Sequence, residues 1–315
     1  MLISNELKQR SLEERLQGRM AIEAAWAQTR HVAGKGPLLL RADRITRPLL
    51  KYGLQLTGLY ARGIRNALRP AIRKVRLHFA GLPEEFDGFQ ILHLSDLHID
   101  GMDGLTEKLT GILGQLKPDL CVMTGDYRFE IEGSCDRVYP RMRSILSSIR
   151  ARFGTYGILG NHDASEIAFA LEDLGVQMLI NEAAEIQKDR SSLWVIGVDD
   201  PYDYQCHDLR RALEPVPSTA FRILLAHTPE LYGESAASGI HLYLCGHTHA
   251  GQVRLPGIGA LVQNAACPRS YAHGHWKHEG MQGYTSAGVG CSMLPIRFNC
   301  EPEIVLIELA ASPAI

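Results

Sequence analysis

Apolar residues recur along this chain at two different periods, and the change of period divides it. From residue 4 to 30 the sequence is polar, with Leu7, Leu12, Leu16, Met20, Ile22 and Trp26 at helical spacing. This predicts an amphipathic helix, ended by Gly34, Gly36 and Pro37. Residues 38–74 predict a second helical stretch, interrupted at Pro48 and Pro70. After Leu82-Pro83 short apolar runs alternate with amphipathic ones. Strands are predicted at 89–94, 120–124, 156–159, 178–180, 193–198, 221–226 and 242–245, with helices at 105–116, 138–150 and 165–174. The C-terminal part is strand-like at 284–287 and 304–309, without clear helices. A βαβα half followed by a β-rich half predicts a layered α/β sandwich. The expected division is a helical extension at 1–74 and one catalytic domain at 75–315.

Charge sharpens the first part of this picture. Between Leu38 and Ala80 ten Lys or Arg face one acid, Asp43, so this window carries +9 of a total of −2. Two partners for it stay open. A basic amphipathic segment can lie on an anionic membrane surface, which the sequence allows over residues 38–76, each basic residue contributing about 1 kcal/mol. It can equally pack as a helical hairpin on the catalytic domain. A specific nucleic-acid partner is not expected, because no nucleic-acid module is visible. Seven cysteines without a C-x-x-C argue against a disulfide framework or zinc ribbon. No apolar run reaches the 18 or so residues of a membrane span, and the N-terminus lacks a secretory pattern. The expected location is cytoplasmic, or peripheral on the inner face of the cytoplasmic membrane.

The chemistry lies where apolar runs stop. Asp96-Leu97-His98, Gly125-Asp126, Gly160-Asn161-His162-Asp163, His227 and Gly246-His247-Thr248-His249 each follow a predicted strand. In open α/β sheets such loops meet in one crevice. An extended backbone would turn Asp96 and His98 to the same side. Together Asp96, His98, Asp126, Asn161, His227, His247 and His249 offer seven oxygen or nitrogen donors and no thiolate. Shared between two ions with one bridging carboxylate, they give four protein ligands each. Mixed imidazole and carboxylate donors suit two divalent ions, manganese first, with iron, zinc or cobalt compatible. Two such ions can bind a phosphate. No nucleophile elbow, Walker loop or G-x-G-x-x-G fingerprint opens another class.

This ordered set resembles the calcineurin-like metallophosphoesterase superfamily, with its D-x-H, G-D, G-N-H-D/E, H and G-H-x-H blocks. The stretches Ala226-His227-Thr228-Pro229-Glu230, Gly246 to Pro256 and Pro295 to Ile304 further resemble a bacterial branch. That branch includes YaeI- and YkuE-type phosphodiesterases and the enzymes that cleave UDP-2,3-diacylglucosamine in lipid A synthesis. The resemblance implies a four-layer αββα sandwich and hydrolysis of a phosphodiester or pyrophosphate bond, with a lipid-linked substrate favoured. Cyclic nucleotides, nucleic acid and phosphoprotein are rival substrates, and a metal-binding scaffold without turnover is the rival of another class. The resemblance further implies one metal on Asp96, His98, Asp126 and His249, and another on Asp126, Asn161, His227 and His247. His162 would donate a proton to the leaving oxygen, and Asp163 would orient His162. Arg128, Gln252 and Arg297 are candidate substrate contacts. The family commonly has glycine where this chain has Ala250.

Overall fold

The computed structural model describes residues 2–33, 38–260 and 262–312. Side chains at 2–10, 29–33 and 38–45 lie outside the described residues, and with them the expectations for Leu7, Leu38 to Leu40, Arg41 and Arg44. The extension forms α1 (Leu2–Ala33), α2 (Leu38–Leu56) and α3 (Leu59–Ala67). Pro48 lies inside α2 without ending it; the break comes at Gly58, where φ is +71°.

The first sheet is built from β1 (Ala71–Phe79), β2 (Gln90–Leu94), β3 (Leu120–Met123), β4 (Thr155–Gly157), β5 (Val176–Met178) and, last in sequence, β14 (Glu303–Ala311). Its order is β1-β14-β2-β3-β4-β5. The helices α4 (Leu105–Leu113), α5 (Val138–Ser148) and α6 (Ser165–Asp173) cover its outer face. The second sheet contains β6 (Glu182–Lys188), β7 (Ser191–Gly197), β8 (Phe221–Leu225), β9 (Leu242–Cys245), β12 (Gly274–His278) and β13 (Met281–Thr285). Its order is β12-β13-β9-β8-β7-β6, and α7 (Leu209–Leu213) and α8 (Tyr232–Ala237) lie on its outer face. A small hairpin, β10 (Arg254–Leu255) with β11 (Gly259–Ala260), stands apart.

Alternation along the strands sets the layers. Ile91, Leu120, Val122 and Ile307 face Leu193, Ile223, Leu225 and Leu244 between the sheets. Leu92, Leu94, Cys121 and Met123 face the helices instead. The four layers are therefore helix, sheet, sheet, helix. His93 points into this interior, with Nε2 2.9 Å from Thr124 Oγ1, and burial pushes its pKa down to about 3.

The structure redraws the expected boundary at 74/75. β1 begins at Ala71 and pairs in parallel with β14 from Glu303 onward, so the boundary would cut a strand. Its Val75, Leu77 and Phe79 alternate with Arg76 and His78 as an edge strand with one wet face would. β6, α7, α8 and β12 were likewise absent from the expected pattern. The extension splits in behaviour. Leu12 and Leu16 of α1 and Ala67 of α3 are fully buried in the helix-side core. The described part of α2 is largely exposed, with Leu49 at 66% and Leu56 at 90%. Leu16→Ala should therefore lower unfolding stability by about 2–5 kcal/mol in urea titrations. A merely solvated α1 would give a change within about 0.5 kcal/mol.

Candidate metal centre

The parallel strands β2, β3 and β4 of one sheet and β8 and β9 of the other end at a common edge. Each predicted cluster leaves its strand there. Asp96, His98 and His249 gather in one group, and Asp126, His227 and His247 in a second. Asn161 Oδ1 joins the second group, 3.0 Å from His227 Nε2 and 3.1 Å from His247 Nδ1. Asp126 stands between the groups, with Oδ2 3.5 Å from His98 Nε2 and 3.4 Å from His227 Nε2. All seven donor residues are buried.

The backbone route to this arrangement is not the extended one. Asp96, His98, Asp126, His247 and His249 all have positive φ, from 39° to 67°. Asp96 and His98 converge through tight left-handed turns, a conformation that costs an L-residue about 1–2 kcal/mol. Ala250 shares it, with φ +51°. Close approach explains two glycines that precede ligands. A Cβ on Gly160 would collide with the Asp126 carboxylate, and one on Gly246 with that of Asp96.

Main-chain carbonyls fix the ring tautomers. His98 Nδ1–H donates to the Arg128 carbonyl and His227 Nδ1–H to that of Thr124, each at 2.7 Å. The Nε2 lone pairs are thereby left facing inward. His98 Nε2 lies 3.2 Å from His249 Nε2, and His227 Nε2 lies 3.2 Å from His247 Nδ1. Imidazole nitrogens and two buried carboxylates thus crowd into the same small spaces, an arrangement that a cation relieves. Burial pushes His98 and His247 down to about 3, so both are neutral donors. Burial raises Asp96 to about 6. It also opposes a charged His227, but contact with Asp126 outweighs it and raises that pKa well above the usual value. The donor set fits two divalent ions of the kind that accept mixed nitrogen and oxygen ligands.

Four expected roles change. Asp163 does not reach the His162 ring. Its carboxylate accepts the backbone N–H of Gly160 (2.9 Å), Asp126 (2.8 Å), Tyr127 (2.8 Å) and Arg128 (3.4 Å). It clips the Gly160 loop to the Asp126 loop, although burial and the nearby Asp126 raise its pKa. His162 is oriented instead by the Phe129 carbonyl, which accepts its Nδ1–H at 2.7 Å. Arg128 is no free clamp for phosphate. Its guanidinium donates to the carbonyls of His162, Ile131 and Gly133 and is buried. Gln252 accepts from Ser292 N–H and donates to the Ser292 and Leu294 carbonyls. Arg297 is fully buried, donating to the carbonyls of Ala287, Gly288 and Gly290 and lying 3.3 Å from His249 Nδ1. All three arginine and glutamine side chains hold main chain around the centre.

Two supporting residues escaped sequence reasoning. Asp203 Oδ2 accepts Asn161 Nδ2–H at 2.7 Å and so turns Asn161 Oδ1 inward. The Asn264 amide meets His247 Nε2 at 3.2 Å. Asp203 had a signal, since Asp199-Asp200 breaks the apolar run of β7 as the other clusters break theirs. Replacing Asp163 with alanine leaves four N–H groups without their acceptor. We expect a loss of about 3 kcal/mol or more in denaturant unfolding. A residue that only oriented His162 would leave stability unchanged.

Comparison with known proteins agrees with this geometry. A family model described as calcineurin-like phosphoesterase matches residues 89–251. The metallophosphoesterase YkuE of Bacillus subtilis is 29% identical over 242 residues, covering 73% of this chain and 82% of YkuE. The phosphodiesterase YaeI of Escherichia coli is 30% identical over 245 residues, covering 75% of this chain and 87% of YaeI. A Bos taurus transmembrane protein with a metallophosphoesterase domain is 31% identical over 282 residues; the match covers 82% of this chain and 61% of the bovine one. With the family model spanning half of the chain and its blocks gathered at one sheet edge, the protein belongs to the calcineurin-like phosphoesterase family.

Proposed function

We propose that the chain hydrolyses a phosphodiester or pyrophosphate bond with two divalent ions, manganese first among them. The observation that carries this is the pair of donor groups meeting at Asp126, with His162 beside them. Asp96, His98, Asp126 and His249 would hold one ion. Asp126, Asn161, His227 and His247 would hold the other. When bound, such ions polarise a phosphoryl oxygen and acidify water.

The remaining work falls to the chain. His162 lies with its ring 4.8 Å from that of His98. Its Nδ1–H is committed to Phe129, so Nε2 is the nitrogen that can hold a proton for the leaving oxygen. Its backbone N–H donates to Asp126 Oδ1 at 2.9 Å, which ties the position of the ring to the carboxylate between the groups. With only two carboxylates among imidazole and amide donors, the negative charge of the centre is limited, which suits an anionic substrate.

Two surface features support a lipid-linked substrate. A cleft of about 570 Å³ is lined by Arg47, Lys51, Tyr52, Tyr60, Phe129 and Leu294 among others. Phe129 also touches the centre, since its carbonyl orients His162 and its ring meets that of His98 edge-on at 6.1 Å. Above the cleft, α2 exposes Leu49, Leu50, Tyr52 and Leu56 beside Lys51. Apolar and cationic groups together suit an anionic amphiphile, and the same helix can rest on the anionic inner face of the cytoplasmic membrane. Among the described residues no helix is long and apolar enough to cross a membrane. UDP-2,3-diacylglucosamine is the specific substrate candidate.

Manganese-loaded protein should hydrolyse an aryl phosphodiester, and His162→Ala should lower kcat by about 10²- to 10⁴-fold. Equal kcat in the two proteins would remove the proton-donor role. No turnover at all would favour a metal-binding scaffold. Among natural substrates, a nucleotide–lipid pyrophosphate should be cleaved faster than a cyclic nucleotide, an oligonucleotide or a phosphoprotein. The membrane contact has a separate check. The double variant Leu49→Glu, Leu56→Glu should no longer co-float with phosphatidylglycerol vesicles, and undiminished flotation would exclude α2 as the contact.

A further inference from the structure

Arg19 lies on α1, 70 residues before the family match begins at residue 89. Its guanidinium is nevertheless fully buried beside the metal centre. Nε donates to Asp199 Oδ1 at 2.9 Å, Nη1 to the Asp163 carbonyl at 2.6 Å, and Nη2 to the Gly160 carbonyl at 3.0 Å. The flat face lies 3.7 Å from the ring centre of Tyr204. Asp199 supplies the opposite charge that a buried guanidinium needs.

The two carbonyls identify what Arg19 holds. Gly160 and Asp163 flank Asn161 and His162, so the guanidinium grips both ends of the loop that presents them. Its other partners reach the same loop from behind. Asp200, next to Asp199, accepts the N–H of Asp203 at 2.7 Å and of Tyr204 at 2.8 Å. Asp203 then accepts from Asn161 Nδ2. The rest of the α1 face is matched to the site in the same way. Glu23 accepts the Ser165 N–H at 2.9 Å, and the rings of Trp26 and Tyr204 lie 4.8 Å apart. Helix docking alone needs only apolar contacts such as Leu12 and Leu16. A planar fork meeting three acceptors at fixed angles adds geometry, which a lysine ammonium cannot reproduce.

We infer that Arg19 is a positioning residue for the phosphoesterase reaction, acting through Asn161 and His162, and that α1 is part of the frame of the active site. This rests on the proposed function. The full-length chain carries the test, with Arg19→Lys, Asp199→Asn and, as a packing control on the same helix, Leu16→Ala. Manganese affinity is read by calorimetry, and kcat and KM on bis(4-nitrophenyl) phosphate. Arg19→Lys keeps charge and bulk but loses the fork. It should lower kcat by about tenfold or more, as small misplacements of reacting groups do, with KM within about twofold. Manganese affinity should fall by about tenfold, because Asn161 is less well held. Folded Leu16→Ala, assayed well below its unfolding midpoint, should retain wild-type kcat and affinity. In a His162→Ala background the kcat effect of Arg19→Lys should shrink to about twofold. Wild-type kcat and affinity in Arg19→Lys would overturn the inference, and so would equal losses in Leu16→Ala. If Arg19→Lys does not fold, Asp199→Asn is read against the same outcomes. If the wild-type protein hydrolyses no phosphodiester, the proposed function fails, and the manganese titrations still decide Arg19.

Discussion

Four backbone N–H groups from two loops end on one carboxylate, that of Asp163. The loops leave the neighbouring parallel strands β3 and β4. They carry Asp126, Asn161 and His162. Charged donors and acceptors crowded into a buried space would otherwise move apart, and left-handed ligand residues would relax. Such strain persists only where the surroundings over-determine it. Asp163 does this from between the loops, Arg128 from their outer ends, and Arg297 on the far side beside His249. The centre is rigid because its neighbours are spent on main-chain atoms.

This pattern explains what could be read from the sequence and what could not. The ligand clusters were legible because each interrupts an apolar run at a strand end. The alternating half of the fold was legible for the same reason. β1 was hidden because Arg73, Lys74 and Arg76 dilute its alternation, as befits an edge with one wet face. α7 and α8, at five and six residues, are too short to establish a helical period. The main-chain contacts of Asp163, Arg128, Gln252 and Arg297 were not legible for a deeper reason. A polar side chain in a motif suggests chemistry, but its partner is decided by which main-chain groups fold to within reach. Here those groups are carbonyls and amides of tight turns, which no residue type announces.

The N-terminal extension shows the same contrast between apolar and polar contact. α1 and α3 enter the core through Leu12, Leu16 and Ala67, and α1 adds polar contacts specific to the Asn161 loop. The described part of α2 does neither, and keeps Leu49, Leu50 and Leu56 in solvent. The N-terminal extension thus contains two kinds of element. α1 contacts the loop that carries Asn161 and His162, and the described part of α2 faces outward.

The position of β14 bears on how the protein is made. This strand, last in sequence among the described ones, lies between β1 and β2, parallel to one and antiparallel to the other. During translation every candidate ligand, from Asp96 to His249, leaves the ribosome before Glu303–Ala311 does. Until then β1 has no neighbour in its sheet and one edge of β2 stays open, a state exposed to wrong pairing. Insertion of β14 closes both gaps at once and brings Glu303 to the Ala287 N–H, next to the glycine turn gripped by Arg297. Assembly of the sheet behind the candidate ligands therefore waits for Glu303–Ala311 to emerge. A chain stalled before Glu303 would present every candidate ligand without the completed sheet that holds them in place.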